Sequence, residues 1–424
     1  PGASAFSLDE AQQIPDLAGQ FFSQGLSARQ LADLAQDTLA ECSGVTGAIG
    51  VLLEPVEALR VASRKLRLAL VPLPSRGAFQ LLDDHAEVCT ALHELRGQLA
   101  ALADLLATQA ERSRGFANLH ERAGTFTGRL DAIVEAHGDQ DVRWYESFPR
   151  GFALYATPLD LAAPMRDLRE RTQAAWIHTS ATLSVAGNFN HFTRQLGLDE
   201  PHTLSLESPF DYAHQALCYL PSGLPDPGSS DYTEQVIQAV LPVLHASDGR
   251  AFVLFTSHRA LRRAAELLKD NARWPLFVQG TAPRPRLLED FRASGRGVLL
   301  GAASFWEGVD VVGEALSVVV IDKLPFAAPD DPVLMARLAA LEQSGINPFM
   351  GWQVPSAVIA LKQGAGRLIR DVHDRGVLVL CDPRLTSKGY GKLFLASVPP
   401  MPRTRALADV QAFFDDAVAT ISPS

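Results

Sequence analysis

From about residue 150 onward, seven short and almost wholly apolar runs dominate this 424-residue sequence. In chain order they are AAWIHTSATL, QALCYLP, AFVLFTS, PLFVQG, GVLLGAA, LSVVVIDKLPF and GVLVLCD. Helical patterns separate them, and near-continuous apolar strands of this kind are typical of a parallel sheet covered on both faces. The sequence therefore predicts an α/β architecture, in which ligands bind at the carboxyl ends of the strands.

Residues 21–148 have a different composition. Alanine, leucine, glutamine, arginine and glutamate are frequent there, as in SARQLADLAQDTLAEC and VCTALHELRGQLAALADLLATQAER. Apolar positions recur at helical spacing with few β-branched runs. Pro72 and Pro74 mark a break between helices. We predict an all-helical domain inserted into the α/β protein.

Composition excludes several classes of protein. Apolar residues make up 47% of the chain and charged residues 20%, which is ordinary for a globular protein. No apolar run reaches the roughly 18 residues of a membrane span, and the start resembles no secretory signal. The net charge of -10 argues against a general nucleic-acid-binding surface but not against a narrow basic channel. The four cysteines form no CxxC pair, so we predict free thiols in the cytoplasm.

The stretch LKQGAGRLIRD carries an amide and two guanidinium groups. Residues three and four apart share a helical face, so we predict that Gln363, Arg367 and Arg370 project together. Gly364 and Gly366 would leave room for a ligand to approach the backbone. The planar guanidinium fork suits bidentate recognition of phosphate. The alternative is an amphipathic helix with a solvated basic face.

A pair of carboxylates stands near the start, in SLDEAQQIPD. Adjacent carboxylates such as Asp9 and Glu10 usually lie on a solvated surface. At the end of a sheet strand, however, an Asp can hold Mg²⁺ through water while its Glu neighbour polarises an attacking water. The residues alone leave both interpretations open.

Two further stretches combine polar side chains with glycine or other small residues. In HTSATLS, the hydroxyls of Thr179, Ser180 and Thr182 follow a strand and can relay hydrogen bonds. In GAASFWEGVDVVGEAL, the tryptophan Trp306 either stacks on a base or packs in the core. The polar positions of this second loop are Glu307, Gly308 and Asp310.

The order DEAQ, TSAT, SFWEGVD, QGAGRLIR resembles that of the superfamily 2 helicases of the DinG/XPD family. The run VVVIDKLPFAAPDDPVLMARLAALEQSGINPF followed by LKQGAGRLIRD is similar to the bacterial YoaA-type branch. The resemblance covers nearly all of the chain. It implies an ATP-dependent DNA helicase that moves 5′ to 3′ on single-stranded DNA and acts on damaged or replication-fork DNA.

The resemblance also implies roles for individual residues. Asp9 would hold Mg²⁺ through water, and Glu10 would activate water for ATP hydrolysis. Arg367 and Arg370 would be arginine fingers that reach the γ-phosphate. The implied ATP-binding or coupling positions are Gln12, Gln363, Gly366, Glu307, Gly308, Asp310, Thr179, Ser180 and Thr182, and Trp306 is an implied DNA contact.

The sequence departs from the family pattern in two respects. Gln12 stands where the family usually has histidine. No G-x-x-x-x-G-K-[ST] motif, the loop that cradles phosphates, occurs in the 424 residues. In the family, that loop precedes the DEAH box, and four iron–sulfur cysteines lie between the two motifs. We therefore expect a fragment that begins at this box, and we expect no iron–sulfur cluster in this chain.

The resemblance predicts four parts of the chain. Residues 1–20 would carry the Walker B segment of a partial first RecA-like motor domain, which residues 149–190 would complete. Residues 21–148 would form an Arch-like helical insert, and residues 191–424 the second RecA-like motor domain. A partial first domain should leave apolar sheet edges exposed.

Two other interpretations remain open at this stage. The chain can be a non-catalytic interaction module that binds a replication or repair partner, such as the χ subunit of polymerase III. It can also be an inactive homologue that has lost its phosphate loop. The sequence of the upstream gene distinguishes them, because a phosphate loop and four cysteines there would exclude the inactive homologue.

Overall fold

The computed structural model describes residues 3–135, 140–269, 273–302, 305–306 and 315–421, with backbone only for 416–421. The strands are β1 (Ala5–Leu8), β2 (Gln24–Ser27), β3 (Arg76–Ala78), β4 (Asp141–Phe148), β5 (Gly151–Pro158), β6 (Ala175–His178), β7 (Ala216–Tyr219), β8 (Ala251–Phe255), β9 (Leu276–Val278), β10 (Val298–Ala302), β11 (Val318–Ile321), β12 (Gly376–Leu380) and β13 (Arg403–Thr404). The helices are α1 (Ile14–Phe22), α2 (Ala28–Cys42), α3 (Ala48–Ala69), α4 (Gln80–Asp83), α5 (Ala86–Gln109), α6 (Arg114–Glu135), α7 (Ala162–Thr172), α8 (Asn190–Gln195), α9 (Tyr212–Gln215), α10 (Tyr232–Ala246), α11 (His258–Lys269), α12 (Arg284–Ser294), α13 (Pro332–Gln343), α14 (Val354–Ala365), α15 (Arg384–Ser387), α16 (Gly391–Ser397) and α17 (Leu407–Ile421).

The chain divides into two compact units, each made of three segments. Unit 1 comprises Pro1–His178, Thr193–Asp199 and Ala328–Pro348. Unit 2 comprises Thr179–Phe192, Glu200–Ala327 and Phe349–Ser424. The domain boundaries expected from the sequence, after residues 20, 148 and 190, remain predictions.

Unit 2 is built on a seven-stranded sheet in the order β13-β7-β12-β11-β8-β10-β9. Every neighbouring pair in it is parallel. Alternate side chains of β8 point to opposite faces: Phe252 and Leu254 join one buried cluster, and Val253 and Phe255 join the other. Helices cover both faces, so the α/β prediction is confirmed. Six of the seven apolar runs give β7 to β12 of this sheet, and the first run gives β6 of unit 1.

Unit 1 contains the long helices α2, α3, α5 and α6, which pack around one buried cluster. On α3 the buried positions Leu52, Val56, Leu59 and Leu66 follow helical spacing, which places them on one stripe. Helix α2 begins with a capping box, in which the Ser27 side chain accepts the backbone N–H of Gln30 and the Gln30 side chain accepts that of Ser27. In the described part of the chain, no helix has the length and low charge needed to cross a membrane.

The helical block also contains strands that its sequence did not predict. Strands β2, β3 and β4 lie within residues 21–148 and, with β5, form an antiparallel sheet in the order β2-β5-β4-β3. Strands β2 and β3 are only four and three residues long, too short for a period-two signal. Their glycines are needed for packing, because a Cβ on Gly25 or Gly77 would lie about 3.0 Å from the rings of Tyr155 and Tyr145.

One helix of unit 1 comes from far along the sequence. Helix α13 lies between β11 and β12 in the chain, yet it packs on β3 and β4. The side chain of Asp331 accepts the backbone N–H of Leu334 at 2.8 Å and thereby caps α13. The same carboxylate lies 3.1 Å from the Arg76 guanidinium of β3. This contact holds the start of the helix against the sheet.

Strands β1 and β6 form a separate, two-stranded parallel sheet in unit 1. Phe6 and Ile177 on these strands are 36% and 50% exposed. Two isolated strands are marginally stable in water. The partial first motor domain stays a prediction.

Candidate functional site

The carboxylates of the DEAQ stretch directly follow strand β1. Both Asp9 and Glu10 are exposed. Glu10 adopts φ 50° and ψ 42°, the left-handed region that few residues with a side chain occupy. This conformation turns the chain out of the strand and into the short 3₁₀ turn Ala11–Gln13. The two side chains therefore stand at the carboxyl end of a parallel strand, where ligands bind in α/β proteins.

Gln12 holds the neighbouring glutamate in place. Its Nε2 donates a hydrogen bond to Glu10 Oε2 at 2.9 Å. Its Oε1 is buried and accepts no hydrogen bond from the described residues. A buried acceptor without a donor costs about 1–3 kcal/mol. Gln12 thus orients the Glu10 carboxylate and leaves one acceptor open to a further donor.

The surroundings of Asp9 fit a weakly held magnesium ion. Magnesium keeps several waters and is usually bound through one or two carboxylates together with substrate phosphates. Asp9 offers one exposed carboxylate. In the described ranges no group of three His, Cys, Asp or Glu residues can hold a metal ion by itself. The arrangement fits an ion bound by Asp9 through water and by a nucleotide, and it does not form a protein cage.

The TSAT stretch follows strand β6 and forms a local hydrogen-bonded turn. Ser180 Oγ accepts the backbone N–H of Thr182 at 3.0 Å and lies 3.2 Å from Thr182 Oγ1. Thr182 is buried, whereas Thr179 is exposed. The hydroxyls of Ser180 and Thr182 are therefore close together, and their role in coupling stays a prediction.

A lysine that the sequence reasoning missed joins this segment to helix α14 within unit 2. Lys362 Nζ donates to the carbonyl oxygen of Ser184 at 2.9 Å. Burial lowers the pKa of the Lys362 ammonium group. Lys362 directly precedes Gln363 in LKQGAGRLIRD. This position next to a motif residue could have identified it from the sequence. The contact brings the TSAT segment to the helix that carries Gln363.

The predicted common helical face of Gln363, Arg367 and Arg370 is wrong. Helix α14 ends at Ala365, and both arginines follow in a turn. The backbone N–H groups of Arg370 and of the next residue both donate to Asp374 Oδ2, at 2.8 and 2.9 Å. This buried carboxylate stabilises a non-helical turn, which the sequence pattern of the arginines does not reveal.

The two arginines differ in their surroundings. Arg367 is 7% exposed, and its Nη2 donates to the carbonyl oxygen of Trp306 at 2.6 Å. Arg370 is half-buried. Gly366, the last residue before this turn, is exposed. The guanidinium of Arg367 is thus part of the packed interior of unit 2, and that of Arg370 is more accessible.

Trp306 packs in the core and does not offer a free face to a base. It is 6% exposed, and its indole N–H donates to the Phe255 carbonyl at 3.1 Å. A Cβ on Gly364 would lie 3.0 Å from the Trp306 ring. That glycine therefore makes room for the tryptophan, contrary to our expectation of room for a ligand. The remaining positions of this motif, Glu307, Gly308 and Asp310, lie outside the described residues.

Two aspartates at the carboxyl ends of β11 and β12 were also missed. Asp322 accepts the backbone N–H groups of Lys323 at 2.7 Å and Thr256 at 3.2 Å. Burial raises the pKa of the Asp322 carboxyl group to about 7. Asp382 is 4% exposed and pairs with the Arg384 guanidinium. In both cases an aspartate directly after an apolar run was the available signal.

Asp322 should make the stability of unit 2 depend on pH. Its pKa of about 7 lies above the value of about 3.9 for an unfolded aspartate. The folded state therefore binds this proton more tightly, and the free energy of unfolding should fall as pH rises from about 4 to about 7. The side chain in Asp322→Asn cannot ionise. In this variant the free energy of unfolding should therefore fall less steeply with pH, by up to about 1.4 kcal/mol per pH unit.

Urea unfolding at about pH 5 and about pH 8 measures the difference. Asp290→Asn is the control, because its carboxylate is exposed on α12. Equal pH dependence in wild type and Asp322→Asn would contradict the prediction.

Comparison with known proteins finds similar helicases. The family model described as "Helicase C-terminal domain" matches residues 240–401. The chain is 40% identical over 426 residues to the ATP-dependent DNA helicase YoaA of Escherichia coli K12, covering 97% of the chain and 65% of YoaA. It is 39% identical over 245 residues to the ATP-dependent helicase DinG of Mycobacterium tuberculosis H37Ra, covering 57% of the chain and 37% of DinG.

A solved structure has a similar fold. The solved structure of S. tokodaii Xpd4 matches with a TM-score of 0.59 and 15% sequence identity, covering 94% of this chain and 75% of that one. At this identity the match supports the fold alone. The chain spans 65% of the length of its YoaA relative. By its motif order and these sequence relatives, the chain is similar to the YoaA and DinG helicases of the DinG/XPD family.

Proposed function

We propose that the protein containing this chain is an ATP-dependent DNA helicase that moves 5′ to 3′ on single-stranded DNA. The observation that supports it most is the exposed Asp9–Glu10 pair at the carboxyl end of β1. This placement gives a carboxylate to an Mg²⁺–ATP complex and a second one to the attacking water. DNA is the proposed substrate, because the YoaA relative is a DNA helicase by name. The family resemblance extends this proposal to damaged or replication-fork DNA.

The proposed chemistry divides between neighbouring residues. Bound Mg²⁺ neutralises charge on the phosphates of ATP. Glu10 orients the water and accepts its proton, and the hydrogen bond from Gln12 Nε2 fixes the carboxylate for that task. The Gln12 amide does not titrate, so it holds Glu10 without taking up the proton of the attacking water. A histidine at this position could take up that proton.

Arg370 is the proposed arginine finger, and Arg367 has a structural role beside it. The buried Arg367 guanidinium already donates to the Trp306 carbonyl. Arg370 is half-buried, and its backbone N–H donates to Asp374 Oδ2, a contact that does not involve its side chain. A finger has to contact a developing charge on the transferred phosphoryl group, so the more accessible side chain suits the role.

The TSAT turn is the proposed coupling element. Lys362 Nζ ties the Ser184 carbonyl to helix α14 in unit 2. Thr179 directly follows strand β6, which pairs with the strand that precedes Asp9. A change in β1 upon ATP binding would reach this turn through β6. The hydrogen bond between Lys362 and Ser184 would then link the turn to α14.

This chain alone should hydrolyse no ATP above background. It has no G-x-x-x-x-G-K-[ST] loop, and that loop provides the main contacts to the β- and γ-phosphates. A version extended upstream to include such a loop should show ATPase activity that single-stranded DNA stimulates. Phosphate release measured on both versions tests the proposal, with Glu10→Gln in the extended version as the inactive control. Turnover by the chain alone that Glu10→Gln abolishes would overturn it.

The second candidate function is a non-catalytic interaction module, favoured by the exposed apolar side chains of Phe6 and Ile177 on β1 and β6, which a partner protein could cover. The proposed partner is a replication or repair protein such as the χ subunit of polymerase III. Sedimentation of the purified chain with purified χ subunit tests it. A stable complex together with an extended version that lacks DNA-stimulated ATPase would favour the module over the enzyme.

A further inference from the structure

A cleft in unit 1 is lined by four arginines. It encloses about 310 Å³ between α2, α3 and the turn that joins β4 to β5. Arg60, Arg64 and Arg67 line it from α3, and Arg150 lines it from the turn. The other lining residues are alanine, leucine and serine, so no acidic side chain is among the described residues of its wall.

The cleft carries an excess of positive charge. Arg60 Nη1 pairs with Glu57 Oε1 at 2.7 Å, which neutralises one guanidinium. Arg67 Nη1 donates to the Pro149 carbonyl at 3.1 Å and so fixes the turn that carries Arg150. Among the described residues, Arg64 and Arg150 form no ion pair with a carboxylate, and both are exposed. Two guanidinium forks are therefore available to an anion.

The spacing of these charges suits a chain of phosphates. Positions 60, 64 and 67 lie on one face of α3, and their span along the helix is about 10 Å. A single phosphate is much smaller than this span. The arginine fork binds phosphate oxygens in pairs. Successive phosphates of one strand can therefore engage successive arginines.

An exposed aromatic residue is close in sequence to one of the arginines that line the cleft. Phe148 is 51% exposed and lies two residues before Arg150, at the end of β4. Positively charged grooves with a neighbouring aromatic ring are typical of single-stranded nucleic-acid binding, because the bases stack on the ring while arginines follow the backbone. An acidic protein segment would make no comparable use of this ring.

We propose that the cleft between α2, α3 and the β4–β5 turn binds the phosphate backbone of single-stranded DNA. This site lies in the helical part of unit 1 and includes none of the residues assigned to ATP. It rests on the proposed function only for the choice of DNA as the polyanion. The whole chain carries a net charge of -10, so binding at this place depends on the local arginines.

The test is fluorescence anisotropy of a labelled oligothymidylate titrated with the 424-residue chain over a range of salt concentrations. Arg64→Glu combined with Arg150→Glu should weaken binding at low salt at least about tenfold. It should also reduce the slope of log affinity against log salt by about 1.4, since each single-strand phosphate contact contributes about 0.7. Both positions are exposed, so the melting temperature should stay close to that of wild type.

Arg114→Glu combined with Arg171→Glu is the matched control. Both arginines are exposed in unit 1, they do not line the cleft, and the charge change is the same. The control should keep the affinity within about threefold and leave the salt slope unchanged. Equal losses in the two double variants, or no loss in the cleft variant, would overturn the proposal.

Two further outcomes decide the kind of ligand. Displacement of the oligonucleotide by inorganic pyrophosphate at an equal phosphate concentration would reveal a site for small phosphates and would refute strand binding. A wild-type chain that binds no oligonucleotide at low salt would also refute the cleft. The helicase proposal is judged separately by the ATPase of the extended version, so one can fail while the other stands.

Discussion

Arg370→Ala in an upstream-extended version of the protein is expected to lower ATP turnover about 10³-fold, as loss of an arginine finger does elsewhere. The melting temperature should change little, because the backbone N–H at this position donates to the Asp374 carboxylate, and the substitution keeps that contact. Arg370→Lys should restore little activity, since lysine keeps the charge but loses the planar fork. Steady-state phosphate release with saturating single-stranded DNA measures the effect.

Arg367→Ala is the matched comparison and should behave differently. Its guanidinium is buried, and its removal leaves the Trp306 carbonyl without this donor. We expect a loss of about 1–3 kcal/mol in the free energy of unfolding, because a buried polar group is left unsatisfied. Full ATPase activity in Arg370→Ala would refute the finger assignment. An Arg367→Ala protein of unchanged stability would refute the anchoring role of that side chain.

Arg384→Ala is expected to destabilise unit 2 by about 3–5 kcal/mol. Arg384 Nε and Nη2 donate to Asp382 Oδ1 and Oδ2 at 2.9 and 2.6 Å. Asp382 is 4% exposed, so removal of the cation leaves a buried carboxylate without its partner. The Arg384 guanidinium also lies 5.3 Å from the centre of the Phe326 ring, and that contact is lost as well. Chemical denaturation followed by circular dichroism measures the change.

A pair on the surface provides the control. Arg286 and Asp290 form an exposed ion pair on α12, and Arg286→Ala should cost no more than about 1 kcal/mol. Adding Asp382→Asn to Arg384→Ala should recover part of the lost stability, since the amide is neutral and can still accept a backbone hydrogen bond. Similar losses in Arg384→Ala and Arg286→Ala would show that burial of Asp382 does not set the effect.

Six of the seven strands in the unit 2 sheet, β7 to β12, could be predicted because each is apolar and bounded by turn residues, whereas β13 (Arg403–Thr404) is polar and gave no such signal. The run AFVLFTS gives β8. All five residues of this strand are buried, because both faces of the sheet are covered, so the strand appears in the sequence as a continuous apolar run. Strands β2 and β3 could not be predicted in this way. Their glycines are required by the rings of Tyr155 and Tyr145, which come from distant parts of the chain.

The site shows the same division between local and distant causes. The motif order located Asp9, Glu10 and the arginines without help from the fold. The turn at Arg370 depends on the Asp374 carboxylate, and the buried Arg367 guanidinium donates to Trp306, which lies about 60 residues earlier in the sequence. A spacing rule applied to the arginines alone assumes a continuous helix. It cannot include a carboxylate that caps a turn or a tryptophan that fills the space over Gly364.

The place of α13 in unit 1 has a consequence for how the protein is made. A ribosome releases β3 and β4 long before residues 328–348, and most of the unit 2 sheet is synthesised in between. Domains usually fold one after another as they emerge, but unit 1 lacks one of its helices until this late segment appears. The nascent chain therefore carries an unfinished unit 1 through most of its synthesis. Pausing or premature termination before residue 348 would release a polypeptide with that surface uncovered, which is a substrate for chaperones and proteases.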